Sequence, residues 1–467
     1  MGWKLTANTR DDWLSPALSG AETTAVSDAQ VVFIDGPAMA RYMMVGKTTR
    51  SPQSVASSVW RMVPQEAKTV FIGFDDPRLG DPCGLRAEVA VARSRMCKVT
   101  ALSDSIATSI TPCSLPTLPD GTLATWDQQL ASTVGKKAAF LVVFEALQRL
   151  VIADSNDACP QCVTLTPPFG GKDGKQKSWH YPFGRRGPFA DVLEARPSGE
   201  AEAQIAHCAK SLVESALQQE SPVPKWAWIS IDTDVFIQAL GFPPINGTLV
   251  VGRGYAYNQI VYASETAAAK AAQIQSQSGS SKRRKIAPKK VWRHYCLNAF
   301  AERVLCGHSA ARFARAQLIM LCAAGVDYCT GLGRYGWTAK RLLSTLKDNS
   351  SHLIVCVENN MLVDMIAFRA VLCATRRNKR FDAEVRAFVQ ELSRIMYCMR
   401  YYSWGLPDQV TYASDEIHSL EAATISDWLV SSSPSQSWLV PIGARRCGID
   451  GPERAAEPLR RYNVFTD

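Results

Sequence analysis

Short apolar runs alternate along the chain with longer segments of helical periodicity. Buried strands are predicted for the four runs that are short and apolar or β-branched, at residues 31–34, 69–74, 227–231 and 249–251. Helices are predicted where apolar residues recur at helical spacing, at residues 55–63, 138–152, 201–217 and 295–324. This alternation predicts an α/β fold with a mostly parallel central sheet flanked by helices.

Two long segments interrupt the alternation. Residues 77–189 are rich in Pro, Ser, Gly and Lys in their second half, and we expect a helical cap inserted over the sheet. Residues 265–292 are low in complexity and end in a basic run, which predicts a flexible insertion. The predicted regions are a core in two parts (1–76 and 190–264), the cap (77–189), the basic insertion (265–292), a helical region (293–345) and a helical extension with a tail (346–467).

Composition and charge narrow the class of protein. The chain has 467 residues, 46% hydrophobic and 20% charged, which is ordinary for a globular protein. No apolar run approaches the roughly 20 residues that a membrane helix needs, and no secretion signal is visible, so we expect a soluble protein in a reducing compartment. The net charge is +9, and the basic residues lie in clusters, as in proteins that bind phosphate backbones.

Three aspartates, Asp35, Asp75 and Asp232, each follow a predicted strand. The carboxyl ends of parallel strands meet at one edge of a sheet, so these acids are expected at the same edge. Asp232 and Asp234 are two residues apart and point the same way if the chain stays extended. Neighbouring carboxylates repel unless a cation lies between them, which makes this edge a candidate metal site.

Each acidic motif also has an ordinary structural interpretation. Glu200 and Glu202 fall where a helix should begin, and the helix dipole alone favours glutamates there. Asp35 is followed by Gly36, and Asp75 is followed by Asp76 and Pro77, and both sequences commonly form turns. Trp226 and Trp228 are interpreted as core packing rather than a base-stacking platform, and His207 as a residue without a chemical role. Cys159 and Cys162 make half of a zinc site at most.

A segment further along the chain favours the functional interpretation of these acids over the structural one. It runs from Gly325 through Asp327 and Tyr328 to Gly331, Gly333, Arg334 and Gly336. It resembles the helix-hairpin-helix element of flap endonucleases and their relatives in excision repair, recombination and large DNA viruses. The resemblance implies a PIN-like nuclease core, with the helix-hairpin-helix in residues 293–345. Two departures stand out: Arg334 replaces the first hairpin glycine, and the family's early Gly-Leu pair is missing.

The resemblance implies a set of seven metal-binding and catalytic acids: Asp35, Asp75, Glu200, Glu202, Asp232, Asp234 and Asp327. They would hold two Mg²⁺ ions, with Mn²⁺ able to substitute, about 4 Å apart. Asp35, Asp75, Glu200 and Glu202 would surround the first ion, and the other three acids the second. Contacts to nucleic acid are expected from six residues: Arg334, Gly336, Lys340, Arg341, Arg86 and Arg93.

The implied activity is a Mg²⁺-dependent hydrolase, a structure-specific 5′ nuclease cutting flapped or branched DNA during replication or repair. Two alternatives stay open: an RNA endonuclease of the same fold, as in viral enzymes that degrade messenger RNA, and a non-catalytic nucleic-acid-binding descendant. The expected partner is DNA with single-strand/duplex junctions, and RNA is possible. We expect a monomer that does not bind a membrane, and no sliding-clamp-binding peptide is evident in the sequence. The basic run 282–290 favours the nucleus, with the cytoplasm as the alternative.

Overall fold

The computed structural model describes residues 20–23, 28–44, 50–76, 99–154, 160–170, 178–195, 199–231, 254–262, 290–297, 299–300, 354–357, 360–364 and 439–441. Eight strands form its main sheet. In chain order they are β1 (Glu22–Thr23), β2 (Val31–Asp35), β3 (Thr69–Gly73), β4 (Cys162–Leu165), β5 (Trp179–Tyr181), β6 (Trp226–Ile229), β7 (Gly254–Tyr262) and β8 (Lys290–Cys296).

The sheet has the order β1-β8-β7-β6-β2-β3-β4-β5. Its five middle strands, from β7 to β4, pair in parallel, while β5 on one side and β8 and β1 on the other are antiparallel. The chain moves outward from β2 through β3 to β4, and then crosses to β6 on the other side of β2. The strand order therefore reverses between β2 and β6, and such a reversal opens a crevice at the carboxyl ends of the strands. The predicted α/β class with a mostly parallel sheet is confirmed.

Seven α-helices are described between these strands: α1 (Gly36–Met44), α2 (Pro52–Trp60), α3 (Asp104–Ala107), α4 (Trp126–Gln129), α5 (Thr133–Asp154), α6 (Ala190–Ala195) and α7 (Ala201–Gln218). Local capping defines several of their starts. The Ser51 hydroxyl accepts a hydrogen bond from the Ser54 amide with Pro52 in the first turn, and Thr125 forms a capping box with Gln128.

Alternating side chains of the strands bury two different faces. Val32 and Ile34 of β2 belong to a core with α1, α2 and α5, together with Val70, Ile72 and other strand residues of the same parity. On the opposite face Phe33 meets the rings of Phe71, Phe189 and Trp226 at centroid distances of 6.2, 5.5 and 5.9 Å. Parallel strands buried on both faces need continuous apolar runs, which is why these strands were visible in the sequence.

The structure corrects several expectations. A helix was predicted to begin at residue 295, but Tyr295 and Cys296 end strand β8 and pair with β7, and helical structure begins at Leu297. Val291, Trp292 and Tyr295 are β-branched or aromatic residues, which favour a strand. Strand β8 also begins at Lys290, inside the expected flexible insertion 265–292. The predicted strand 249–251 lies outside the described residues.

The segment expected as a cap, residues 77–189, contains two strands of the main sheet. Strand β4 pairs in parallel with β3, and β5 pairs with β4. Helix α5 also packs on the sheet, since Ala139, Val143 and Leu147 join the core of its first face. These parts of the segment therefore belong to the sheet and its helical layer rather than to a separate cap. The remaining division into domains stays a prediction.

Three further strands, β9 (Ile354–Val357), β10 (Asn360–Asp364) and β11 (Leu439–Pro441), form a separate antiparallel sheet in the order β11-β10-β9. They fall in the region expected to be a helical extension, so strands contribute to it as well. Among the described helices, none combines the length and apolarity needed to cross a bilayer.

Candidate functional site

Asp35 is the last residue of β2 and lies at the reversal point of the sheet. Its carboxylate is buried, with 3% of the residue exposed. Oδ1 accepts a hydrogen bond from the Ala38 amide at 3.0 Å, at the start of α1, and Oδ2 accepts one from the Ser230 hydroxyl at 2.9 Å. Ser230 directly follows β6, so these contacts tie the carboxylate to both strands that flank the crevice. The orientation of Asp35 is thereby fixed.

Asp75 follows β3 by two residues and contacts the start of helix α7. Its Oδ1 accepts a hydrogen bond from the Ala201 amide at 3.0 Å. That amide belongs to the first turn, whose N–H groups have no partner within the helix, so Asp75 caps α7 from a distant part of the chain. The next residue, Asp76, is fully buried, and its amide donates to the Gly199 carbonyl at 2.8 Å. Both aspartates therefore join the end of β3 to the loop before α7.

Glu200 and Glu202 lie at the same helix start. Glu200 is 6% exposed and its carbonyl accepts the first helical hydrogen bond, from the Gln204 amide at 3.0 Å. Glu202 is half-buried in the first turn. The positive end of the helix dipole favours carboxylates here. Because α7 packs against β2 and β3, the end of the sheet that carries Asp35 also carries Asp75 and the two glutamates.

A buried polar network holds α7 against the strand ends. The Thr166 hydroxyl donates to Oε1 of Gln204 at 2.7 Å and accepts from the Phe74 amide at 2.9 Å. Nε2 of Gln204 donates to the Phe74 carbonyl at 3.2 Å. Thr166 and Gln204 are each 1% exposed, and buried groups left without partners are costly. The network therefore links the ends of β3 and β4 to α7.

Two glycines allow the backbone to approach closely at this edge. A Cβ at Gly36 would lie 2.7 Å from the Gly73 carbonyl oxygen and 2.8 Å from the Phe74 ring. A Cβ at Gly73 would lie 3.3 Å from both the Ala201 carbonyl oxygen and Oε1 of Gln204. Glycine is therefore required after Asp35 by packing, in addition to any role in a turn.

The amino end of α5 lies near the same edge. Phe74, which follows β3, contacts the rings of Phe140 and Phe144 in the first half of α5, with centroids 6.2 and 6.0 Å away. Lys136 and Lys137 precede Phe140 by about one turn, and both are exposed. The amino end of α5 therefore carries two exposed cationic side chains.

The remaining predicted site residues lie outside the described residues. These are the acids Asp232, Asp234 and Asp327 and the expected nucleic-acid contacts Arg334, Gly336, Lys340, Arg341, Arg86 and Arg93. The described stretch 199–231 ends at Ile231, immediately before the predicted pair Asp232 and Asp234. The structure therefore describes four of the seven acids.

The four described acids do not complete a metal site by themselves. Within the described part of the chain, no three or more His, Cys, Asp or Glu side chains are grouped closely enough to hold a metal ion together. The structure brings Asp75 to the start of α7, beside Glu200 and Glu202, and brings Asp35 to Ser230. A complete metal centre would need the acids that lie outside the described residues.

Other residues singled out in the sequence have structural roles. Trp226 and Trp228 are 3% and 0% exposed, which confirms that they are core residues. His207 is also buried, at 6%. Cys162 on β4 carries a free thiol whose pKa is raised by burial. Its expected companion, Cys159, lies outside the described residues.

Ser230, Gln204, Thr166 and Asp76 were not identified from the sequence as site residues. Ser230 stood directly before Ile231 and Asp232 in the segment with the clearest acidic signal. Only its position at the end of a strand could have indicated a role. Gln204 follows Glu200 by four residues, so helical spacing places both on one face of α7. That spacing is the signal that could have identified Gln204.

Comparison with known proteins adds no relative: no protein-family model matches the sequence, and no curated protein is similar to it.

Proposed function

We propose that this chain is a metal-dependent nuclease with a PIN-like core, which hydrolyses phosphodiester bonds in flapped or branched DNA. The observation that carries the proposal is the position of Asp35 at the reversal point between β2 and β6. Its partner Ser230 precedes Asp232 and Asp234 by two and four residues, and ligands in such sheets bind at this point. Asp75, Glu200 and Glu202 supply further carboxylates at the same end of the sheet.

The type of donor fits Mg²⁺ or Mn²⁺. All the candidate ligands are carboxylates, and hard oxygen donors favour these cations over softer metals. Asp35, Asp75, Glu200 and Glu202 would contribute to one ion, and Asp232, Asp234 and Asp327 to the other. Bound there, the ions would supply an activated water molecule and offset the charge that develops on the phosphoryl oxygens.

The described residues would serve this chemistry by fixing the carboxylates before substrate binds. The Ala38 amide and the Ser230 hydroxyl orient Asp35, and the Ala201 amide orients Asp75. The Gln204 network keeps α7, and with it Glu200 and Glu202, against the strand ends. Exposed Lys137 would attract the phosphate backbone. Preorganised ligands of this kind need little rearrangement in the transition state.

A helix-hairpin-helix in the part of residues 293–345 that follows β8 would grip duplex DNA through Arg334, Gly336, Lys340 and Arg341, and Arg86 and Arg93 would provide further contacts to the nucleic acid. The chain would act as a monomer on DNA with single-strand/duplex junctions. The basic run 282–290 supports a location in the nucleus.

The test is cleavage of three end-labelled substrates, flap DNA, duplex DNA and single-stranded RNA, in Mg²⁺ and in EDTA. The native chain is compared with Asp35→Asn and Asp234→Ala. Glu66→Gln is the matched control, because Glu66 is an exposed carboxylate before the amino end of β3, at the opposite edge of the sheet. We expect flap cleavage that requires Mg²⁺, falls about 100-fold or more in both aspartate variants, and is unchanged in Glu66→Gln.

Each other outcome has a defined meaning. Cleavage that survives Asp35→Asn and Asp234→Ala would contradict the metal mechanism. Cleavage of RNA alone, lost in the same two variants, would replace the DNA substrate by RNA and keep the site. Binding of flap DNA without cleavage by the native chain would indicate the non-catalytic alternative.

A further inference from the structure

Three aromatic rings contact one another at the edge of the main sheet. Trp179 and Tyr181 belong to edge strand β5, and Phe183 follows it. The Trp179 and Tyr181 rings are stacked, with centroids 6.2 Å apart and planes inclined by 22°. Phe183 meets them edge-on at 5.7 and 5.6 Å. We call these three residues the β5 aromatic cluster.

Phe183 of the cluster is held outward into solvent. It is 62% exposed, and Trp179 and Tyr181 are half-buried against the core beneath. A turn presents it: the Arg185 amide donates to the Pro182 carbonyl at 3.4 Å, and Gly184 has a φ of +80°. The space beside Gly184 is open, with no atom within 4 Å of a Cβ placed there. A flat ligand can therefore reach the Phe183 ring.

The cluster extends from the edge of the sheet that carries the acids. Trp179 pairs with Leu165, the last residue of β4, so it lies at the carboxyl edge of the parallel strands. The chain after β4 contacts the site directly, since the Phe169 amide donates to the Asp75 carbonyl at 2.9 Å. A polymer crossing the acidic edge could therefore continue along β5.

The charges around the cluster favour an anionic ligand. Two cations, Arg185 and Arg186, follow Phe183 and Gly184 in the chain. Arg185 is exposed. Arg186 pairs with Asp191 and Glu194 at 2.5 and 2.7 Å, but all three side chains are more than 60% exposed, and such pairs contribute little in water. Phosphate can therefore compete for Arg186.

We propose that the β5 aromatic cluster binds single-stranded nucleic acid, with unpaired bases stacking on Phe183 and Trp179 and phosphates contacting Arg185 and Arg186. Aromatic faces beside cations are the features by which proteins bind single strands without reading sequence. An apolar protein partner would use the rings but not the cations. The proposal adds a strand-guiding surface to the nuclease function proposed above and rests on that function for the nature of the ligand.

The test measures binding separately from cleavage. Fluorescence anisotropy of labelled oligo(dT), oligo(U) and a blunt hairpin duplex with the same number of phosphates is recorded in EDTA, with the full-length chain. The variants are Phe183→Ala, Phe183→Leu, which keeps bulk but removes the ring, and Arg185→Ala. Leu123→Ala is the control, because Leu123 is an equally exposed apolar side chain, at 55%, outside the cluster.

We expect Phe183→Ala and Phe183→Leu to weaken single-strand binding about fivefold or more while duplex binding changes by less than about twofold. Arg185→Ala weakens binding of both and reduces its salt dependence, and Leu123→Ala changes nothing. Quenching of tryptophan fluorescence by oligo(dT) should decrease in Trp179→Phe. The proposal would be overturned if the Phe183 variants bound single strands as tightly as the native chain does. It would also be overturned if they lost the same affinity for single strands as for the duplex.

Failure of this proposal and failure of the nuclease function can be distinguished. If the Phe183 variants lose single-strand binding but no variant or native chain cleaves DNA or RNA in Mg²⁺, the binding surface stands and the nuclease function fails. If Asp35→Asn abolishes cleavage but the Phe183 variants bind and cleave as the native chain does, the nuclease function stands and the surface is rejected.

Discussion

The hydroxyl of Ser230 donates a hydrogen bond to Oδ2 of Asp35 at 2.9 Å across 195 positions of sequence. It joins the end of β6 to the end of β2 at the point where the strand order reverses. Both residues are buried, at 1% and 3% exposed. With the Ala38 amide on Oδ1, both carboxylate oxygens of Asp35 have a donor, so its position depends on contacts with two other elements.

Replacing Ser230 by alanine removes one of these donors. We expect the free energy of unfolding to fall by about 1–3 kcal/mol, because a buried carboxylate oxygen loses one hydrogen-bond donor. The measurement is urea unfolding followed by circular dichroism. Ser109→Ala is the control, since its exposed hydroxyl donates only to the Ile106 carbonyl at 2.8 Å, and its effect should stay within about 0.5 kcal/mol. Equal stability of the two variants would show that the Ser230 contact contributes little.

Gly36 follows Asp35, and its replacement by alanine tests the close packing at the carboxyl edge of the parallel strands. In Gly36→Ala the new Cβ would meet a backbone carbonyl at 2.7 Å, and backbone cannot move away as a side-chain tip can. We expect a loss of about 1–3 kcal/mol from overpacking, measured by thermal and urea unfolding.

Gly121→Ala separates this effect from backbone strain. Gly121 has a φ of +81°, but a Cβ added to it would have no atom within 4 Å, so its substitution costs only the left-handed strain of about 1 kcal/mol. A smaller loss for Gly36→Ala than for Gly121→Ala would contradict the packing explanation.

The central strands could be predicted from the sequence because parallel strands buried on both faces are continuously apolar. The runs at 31–34, 69–74 and 227–231 became β2, β3 and β6. Strands β4 and β5 were missed because Cys162–Leu165 and Trp179–Tyr181 are short and lie in a polar, Pro-rich segment. Their strand state depends on the neighbour with which they pair rather than on a pattern of their own.

Some features of the candidate site could likewise be predicted from the sequence, and others could not. Asp35 and Asp75 could be placed at one edge of the sheet because acids after parallel strands meet there. The contacts of Ser230 and Gln204 could not be predicted, since their partners Asp35 and Phe74 are 195 and 130 residues away. Helix α7 was predicted from its periodicity, but the capping of its first turn by Asp75 arises from tertiary structure.

Gln204 tests whether α7 is held in place by its polar network. Gln204→Ala leaves the Thr166 hydroxyl without its acceptor and the Phe74 carbonyl without that donor, both in a buried setting. We expect a loss of about 2–4 kcal/mol in the free energy of unfolding, measured by urea denaturation. Gln65→Ala, at an exposed position before β3, should change stability by less than about 0.5 kcal/mol. A loss no larger than that of Gln65→Ala would show that α7 is held by apolar packing alone.

His180 on β5 should make stability depend on pH. Burial lowers its pKa, the Glu194 carboxylate raises it by a smaller amount, and Arg186 lowers it slightly. The folded state therefore keeps the ring neutral at pH values where the unfolded chain, with an ordinary pKa of about 6.5, takes up a proton. Because the unfolded state binds more protons there, this contribution to stability is present above about pH 7 and is lost as the pH falls through 6.5 towards the folded pKa.

The measurement is urea unfolding of the native chain and of His180→Gln between about pH 5 and pH 8. The native chain should lose more stability than the variant as the pH falls, because glutamine does not titrate. His294 remains in both proteins, and its pKa is also lowered by burial, so its contribution to the pH dependence cancels in the comparison. The lowered pKa of His180 would be contradicted if the free energies of unfolding of the two proteins changed in parallel across this range. It would also be contradicted if the native chain gained stability relative to the variant at acid pH.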